Sequence, residues 1–271
     1  MKVACQIFRL LSRRNFSAGT KMAKSKFEYV REFESSDRCL PNTWMVVRLD
    51  GKGFHKFADK HNFEKPNDKN ALSLMNEAAK SVMKEFKEIT LAYGQSDEFS
   101  FLIRRDHDLY NRRSSKISTI ICSLFTSAYV FHWDHCMVGK TLLYPPCFDG
   151  RVILYPDEKN VRDYFSWRQA DCHINNLYNT TFWNLVLKGG ITNQQAEERL
   201  CKTVSGDKNE ILFSQFGINY NNEPEMFRKG TVVYRPKDRS KRSSNVNVEH
   251  IDIINDAFWL EHPHLLNKIR E

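Results

Sequence analysis

Trp44-Met45-Val46-Val47-Arg48-Leu49-Asp50-Gly51-Lys52-Gly53-Phe54-His55 is an apolar run that breaks into a carboxylate and a turn holding two glycines. A second stretch, Tyr93-Gly94-Gln95-Ser96-Asp97-Glu98-Phe99-Ser100, sets a carboxylate between the apolar runs Ile89 to Ala92 and Phe99 to Ile103. Residues 44–49 read as a buried strand. Residues 89–93 and 99–104 read as a hairpin whose turn presents Asp97. If the two runs are sheet neighbours, Asp50 and Asp97 meet at one sheet edge. Two carboxylates with a backbone carbonyl suit Mg²⁺, which keeps several waters and takes its other ligands from substrate phosphates. That is the skeleton of a two-metal phosphoryl-transfer site. An Asp after a strand is often only a turn former. Two of them brought together repel, however, and a cation would offset the cost.

Outward from this pair, Asn67 or Asp68 caps a predicted helix with Leu72, Met75, Ala79, Val82 and Phe86 at three- and four-residue steps. Another predicted helix carries Ile117, Ile120, Ile121, Leu124, Phe125, Ala128 and Phe131 on one face, and Asp149-Gly150 opens a strand from Arg151 to Tyr155. The order β-α-β-β-α-β is that of an α+β, ferredoxin-like split unit, in which the first strand neighbours the central hairpin. We assign residues 22–156 to this catalytic unit and 157–271 to a helix-rich extension packing on it. Residues 158–187 are expected to be mainly helical, with Val161, Tyr164, Phe165, Trp167, Ile174 and Leu177 among the apolar positions. Shorter helices are expected over 192–204 and from Asp207, the latter with Ile211, Leu212 and Phe213 inward. A strand is expected over 228–235 and a polar, basic loop over 236–248.

Composition excludes several classes. An apolar share of 41% and an aromatic share of 13% supply a core, yet no apolar run approaches the ~18–20 residues that span a bilayer. Seven cysteines with no C-x-x-C pair argue against a disulfide framework and a structural zinc, and for a reducing compartment. The net charge of +8 is concentrated at the start, where residues 1–27 hold seven basic residues and no acid. RNA binding therefore has to rest on local clusters: Arg112-Arg113 with Lys116, Arg228-Lys229, and Arg235 to Arg242. The acid-free segment 1–21, with spaced arginines beside Phe8, Leu10 and Leu11, has the composition of a mitochondrial presequence. We expect the full-length form in mitochondria, and a product starting at Met22 in the cytoplasm or nucleus.

Gly51 and Gly53 flank Lys52 and leave backbone N–H groups free to approach phosphate oxygens. Lys65 precedes a helix start that could hold a triphosphate. His173, Asn176 and Asn179, at i, i+3 and i+6, roughly share a helix face fit for a base edge or a ribose hydroxyl. Neither His55 nor His173 has the context of a serine or cysteine nucleophile.

The strings D-G-K-G-F-H (from Asp50), Y-G-Q-S-D-E-F-S-F (from Tyr93), F-D-G-R-V (from Phe148), S-W-R-Q-A-D-C-H-I-N-N-L-Y-N-T (from Ser166) and D-K-N-E-I-L-F (from Asp207) resemble the eukaryotic tRNA-histidine guanylyltransferase family. The likeness runs in order from about Met22 to Trp259. It implies a polymerase- or cyclase-type palm. It also implies addition of a guanosine to the 5′ end of tRNA-histidine, with chain growth in the reverse, 3′-to-5′ direction. The resemblance implies that Asp50, the Gly51 carbonyl and Asp97 hold two Mg²⁺ ions, with Glu98 in the same catalytic motif. ATP and GTP are the implied substrates. Residues Asp50, Gly51, Lys52, Gly53, Phe54 and His55, with Lys65, Ser96 and Asp97, are the implied nucleotide site. His173, Asn176, Lys208 and Asn219 are implied in handling the nucleotide or the tRNA 5′ end. A homotetramer and recognition of the GUG anticodon also follow from the resemblance.

Three rivals remain at this point: a template-directed 3′-5′ polymerase that repairs tRNA 5′ ends, a nucleotide cyclase on a related palm, and an RNA-binding module without catalysis. The H-I-N-N-L-Y-N string argues against the first, and the intact carboxylate pair against the last.

Overall fold

The computed structural model describes residues 25–237 and 246–267, so the expected presequence, residues 1–21, lies outside the described residues. The chain forms two compact units, Met1–Ser36 and Asp37–Glu271. In the first, a 3-10 segment, Glu28–Phe33, is tied by an Arg31–Glu28 ion pair and leaves Phe27, Tyr29, Val30 and Phe33 exposed.

The second unit is built on one six-stranded sheet in the order β4-β1-β3-β2-β5-β6, with every neighbouring pair antiparallel. Its strands are β1 (Trp44–Gly51), β2 (Ile89–Gln95), β3 (Glu98–Ile103), β4 (Phe148–Tyr155), β5 (Thr231–Tyr234) and β6 (Asn247–Glu249). Helices α1 (Phe54–Lys60) and α2 (Lys69–Glu85) join β1 to β2, and α3 (Ser114–Cys136) joins β3 to β4. The expected βαββαβ order is therefore present, with α1 added inside the glycine turn. The chain continues through α4 (Glu158–Leu187), α5 (Asn193–Leu200), α6 (Ser205–Phe216), α7 (Glu225–Lys229) and α8 (Asp256–Glu261).

Alternation along the strands sorts the core into two layers. Met45, Val47, Leu49, Phe99, Phe101 and Ile103 pack on Leu74, Ala78 and Val82 of α2 and on Ile117, Ile121 and Phe125 of α3. Trp44, Val46, Leu91 and Leu102 pack instead with Val161, Tyr164 and Phe165 of α4 and with Phe258 and Trp259 of α8. The α2 start follows the expected cap: the Asp68 carboxylate accepts from the Asn70 and Ala71 amides at 2.9 and 3.1 Å. Thr192 caps α5 in the same way through a reciprocal contact with Gln195.

Four expected core positions are exposed: Phe131, Trp167, Ile174 and Phe213. On α3 the buried stripe runs Ile117, Ile121, Phe125, Ala128, Tyr129 and Trp133, so Phe131 falls on its flank. β4 begins at Phe148 rather than Arg151, because its pairing with β1 runs on to Gly51. The basic segment from Arg228 divides into the end of α7 and then β5, and β6 (Asn247–Glu249) takes up the last two residues of the expected loop, 247 and 248. Residues 238–245 lie outside the described residues. Among the described residues no helix is long and apolar enough to cross a membrane, and the cysteines are free thiols.

Candidate active site

β1 and the β2–β3 hairpin bring the two carboxylate motifs together. Asp50 lies opposite Glu98 on one side and Asp149 on the other. Residues opposite one another in a sheet project to the same face. The strand ends thus carry an acidic row, Asp149–Asp50–Glu98, backed two residues away by the row Arg151–Arg48–Ser100. Asp97 sits in a two-residue turn whose first member, Ser96, has φ +50°. The Gly51 amide donates to the Asp97 carbonyl at 3.1 Å. A Cβ at Gly51 would run into the Phe54 ring and stand 2.8 Å from Asp97 Oδ2, so only glycine lets that carboxylate close on the end of β1.

The acids differ in their partners. The buried Glu98 accepts from Arg168 of α4 at 3.0 Å, and Arg168 also pairs with Asp171 at 3.3 Å. Among the described residues neither Asp50 nor Asp97 has an ion-pair partner. Burial, and then the Asp50 charge, raise the Asp97 pKa. Burial also raises that of Glu98, against the opposing charge of Arg168. An apposed, part-buried carboxylate pair without a cation is an arrangement that a divalent ion would relieve. No group of three or more His, Cys, Asp or Glu gathers in metal-binding geometry among the described residues, so such an ion would need backbone oxygen beside Asp50 and Asp97.

These groups open on a cleft of about 670 Å³ between the split unit and α4. Asp50, Phe54, His55, Lys65, Ser96, Asp97 and Glu98 line one wall, and Arg168, Asp171, Asn175, Asn179 and Trp183 line the α4 wall.

The tRNAHis guanylyltransferase family model matches residues 27–156, and the model of the Thg1 C terminal domain matches 159–256. A tRNA(His) guanylyltransferase of Schizosaccharomyces pombe is 55% identical over 257 residues, 90% of this chain and 98% of that protein. The chain belongs to the tRNAHis guanylyltransferase family. It is accordingly an enzyme of that nucleotidyltransferase family. The crystal structure of the Saccharomyces cerevisiae tRNA(His) guanylyltransferase, at 47% identity, superposes with a TM-score of 0.78 over 87% of this chain and 99% of that one. A bacterial Thg1-like protein, solved with ATP and with GTP, shares the fold at 22% identity, with TM-scores of 0.72 and 0.61. It covers 89% and 87% of this chain, and 99% and 95% of its own.

Set beside the family motifs, the remaining site residues divide. The Gly51 and Lys52 amides, expected to be free, are engaged by Asp97 and Cys147 carbonyls. Gly53, at φ +68°, instead starts α1, whose first-turn amides have no intrahelical acceptor. Lys52 is exposed, and Phe54 is a core residue stacked on Phe57 at 4.9 Å. His55 is exposed and pairs with Asp59, which also holds Lys65 at 3.0 Å; the Lys65 ammonium lies over the Trp183 ring. Asn176 and Asn179 both line the cleft, whereas His173 does not. Asn176 is buried and donates to the Tyr220 hydroxyl at 2.9 Å. His173 lies edge-on to Tyr220, and partial burial followed by the Arg228 charge lowers its pKa. His173, Lys208 and Asn219 do not line the cleft. Lys208 is held by the Thr203 carbonyl, and Asn219 caps the turn Tyr220–Asn222.

Sequence reasoning missed Arg168, Asp171 and Asn175. A signal was present: a charged and polar series at three- and four-residue steps along a helix that also carries an apolar stripe.

Proposed function

We propose that this protein adds a guanosine to the 5′ end of tRNA-histidine, with Asp50 and Asp97 organising phosphoryl transfer at the mouth of the cleft. The observation that carries this reading is the apposed carboxylate pair without a cationic partner, beside an acid that has one. In this reading the βαββαβ unit is a palm: α2 and α3 back one face of the sheet, and the catalytic acids stand on the strand ends.

Mg²⁺ would be held by the Asp50 and Asp97 carboxylates with the Gly51 carbonyl, and when bound it supplies charge neutralisation at the reacting phosphates. The raised Asp97 pKa and the close packing of its carboxylate on Gly51 fit that donor set. ATP and GTP as substrates are supported by the bacterial Thg1-like protein solved with each.

The chemistry has three steps. An oxygen of the tRNA 5′-monophosphate attacks the α-phosphorus of ATP; the α–β bridging bond breaks and pyrophosphate leaves. The GTP 3′-hydroxyl then attacks the activated 5′ phosphorus, losing its proton, and AMP leaves. Hydrolysis of the new 5′ triphosphate to pyrophosphate leaves a monophosphate. The chain's own part is to bind and orient. Backbone from Gly53 to His55, with Ser96 and Lys65, faces the phosphates, while the Phe54 ring stays in the core. Arg168 keeps Glu98 and the hairpin in register with β1. No protein nucleophile is required.

The test is incubation of 5′-monophosphorylated tRNA-histidine with labelled GTP, ATP and Mg²⁺. Label at the tRNA 5′ end with release of AMP is expected, and transplanting the GUG anticodon into another tRNA should make it a substrate. Extension of 5′-truncated tRNAs alone, with equal rates on all anticodons, would identify a repair polymerase instead.

A further inference from the structure

Of the five tryptophans, Trp44, Trp133 and Trp259 are buried and Trp183 is partly covered, while Trp167 is 54% exposed. An exposed indole is unremarkable if it is free to move. Trp167 is backed by a fixed cation: the Arg168 guanidinium carbon lies 3.4 Å from its ring centroid. Arg168 is itself immobilised by Glu98 and Asp171, and the Tyr164 ring braces the indole edge-on at 6.1 Å. A large aromatic surface is thereby set in place before any ligand arrives, which lowers the entropy cost of stacking on it.

Its position follows from the turn of α4. Gln169 and Cys172 point to the Lys229 and Phe227 carbonyls, on the β5 side. The opposite flank, with Tyr164 and Trp167, faces the β1–β4 side, where Tyr155 of β4 meets Tyr164 at 5.4 Å. The Arg151–Arg48–Ser100 row lies there, with Ser100 bonded to the Tyr164 hydroxyl at 2.7 Å. Arg48 forms no ion pair among the described residues, and its buried Nε has no hydrogen-bond partner. Its charge is nevertheless felt at Glu98, Tyr155 and Tyr164. An arginine without an ion pair, a second and exposed arginine that pairs with Asp149 at 3.1 Å, and a braced indole thus flank the acids on the side away from α2 and α3. A base stacks on the indole and a phosphate meets the guanidinium; this is the pairing used by surfaces that hold single-stranded nucleic acid ends.

We propose that Trp167 is a stacking platform for the first base of the RNA 5′ end, with Arg48 and Arg151 receiving the adjoining phosphate. The proposal rests on the tRNA reading above and names where on the chain that end is held. Charge favours an RNA end over an apolar partner, since a phosphate would meet Arg48 unopposed and compete with Asp149 for the exposed Arg151.

The test uses the full chain and a 5′-monophosphorylated oligoribonucleotide whose first base is 2-aminopurine, a fluorophore quenched by stacking. Wild type should quench it. Trp167→Ala should lose the quenching and weaken binding about tenfold or more, while Trp167→Phe should stay within about threefold of wild type. KM for ATP and GTP should not change. Equal quenching by Trp167→Ala would overturn the proposal. A rise confined to KM for ATP or GTP would place a triphosphate base on the indole instead. A changed sedimentation coefficient for Trp167→Ala would make Trp167 a contact between copies of the chain. Quenching by a wild type that adds no nucleotide to tRNA would leave the platform standing and the catalytic reading fallen, so the two fail separately.

Discussion

The two faces of the sheet are made from alternate residues of the same strands, yet they do different things. The face under α2 and α3 is apolar along its whole length, from Met45 and Ile103 to Leu49 and Phe99. The face under α4 begins equally apolar at Trp44, Val46 and Leu102, and ends in Arg48, Asp50, Ser100 and Glu98. Hydrophobic burial is non-directional and tolerates any well-filled arrangement. Buried charge is directional and has to be matched group by group. One face therefore holds the strands in register, and the charged end of the other carries the acids proposed for the chemistry.

The contrast breaks most sharply at the acids. Asp50→Ala or Asp97→Ala should lower nucleotide addition by about 10³-fold or more, because the loss is of charge stabilisation in the transition state. Circular dichroism and the Tm should stay close to wild type. Near-normal turnover of either variant at ordinary Mg²⁺ would remove the pair from catalysis.

A smaller effect separates buried charge from buried carbon. Arg168→Ala leaves Glu98 buried without its partner, which costs about 3–5 kcal/mol. Phe125→Ala on the opposite face costs a comparable ~3–5 kcal/mol through its cavity. Urea unfolding should show both losses. Only the first should recover when its partner is also neutralised, in the double variant Arg168→Met, Glu98→Gln. Equal recovery in both backgrounds would mean that the polar end packs like the apolar one.

The smallest effect concerns Asp97 in metal-free protein. Its folded pKa is raised above the ordinary 3.8, first by burial and then by the Asp50 charge. The stabilising contribution of the protonated form is therefore complete below the unfolded value and lost as pH rises through the folded one. With a chelator present, Asp97→Asn should unfold at a higher temperature than wild type near pH 7, and the gap should close toward pH 3. A gap that widens on acidification would contradict the sign.

What could be read along the chain was local. The breaks after Leu49 and around Asp97, the Asp68 cap and the three- and four-residue steps of α2 and α3 depend on near neighbours, so they show in sequence. The short α1 was hidden because a glycine turn and a helix start use the same residues. The β5–β6 pairing escaped because its first strand follows α7 directly and its second is only three residues long.

The sequence by itself determined the alternation of the strands, the order βαββαβ and the two carboxylates at strand ends, because each follows from periodicity and turn chemistry over a few residues. Only the tertiary structure decided the rotation of α4 about its axis. That rotation puts Arg168 against Glu98, seventy positions away, sends Asn176 inward to Tyr220, and turns Trp167 outward beside Tyr164. A helix with apolar residues on several sides can pack in more than one setting. In the setting found here Arg168 meets Glu98 and Asn176 meets Tyr220, and such pairings between distant segments exist only once the sheet has formed.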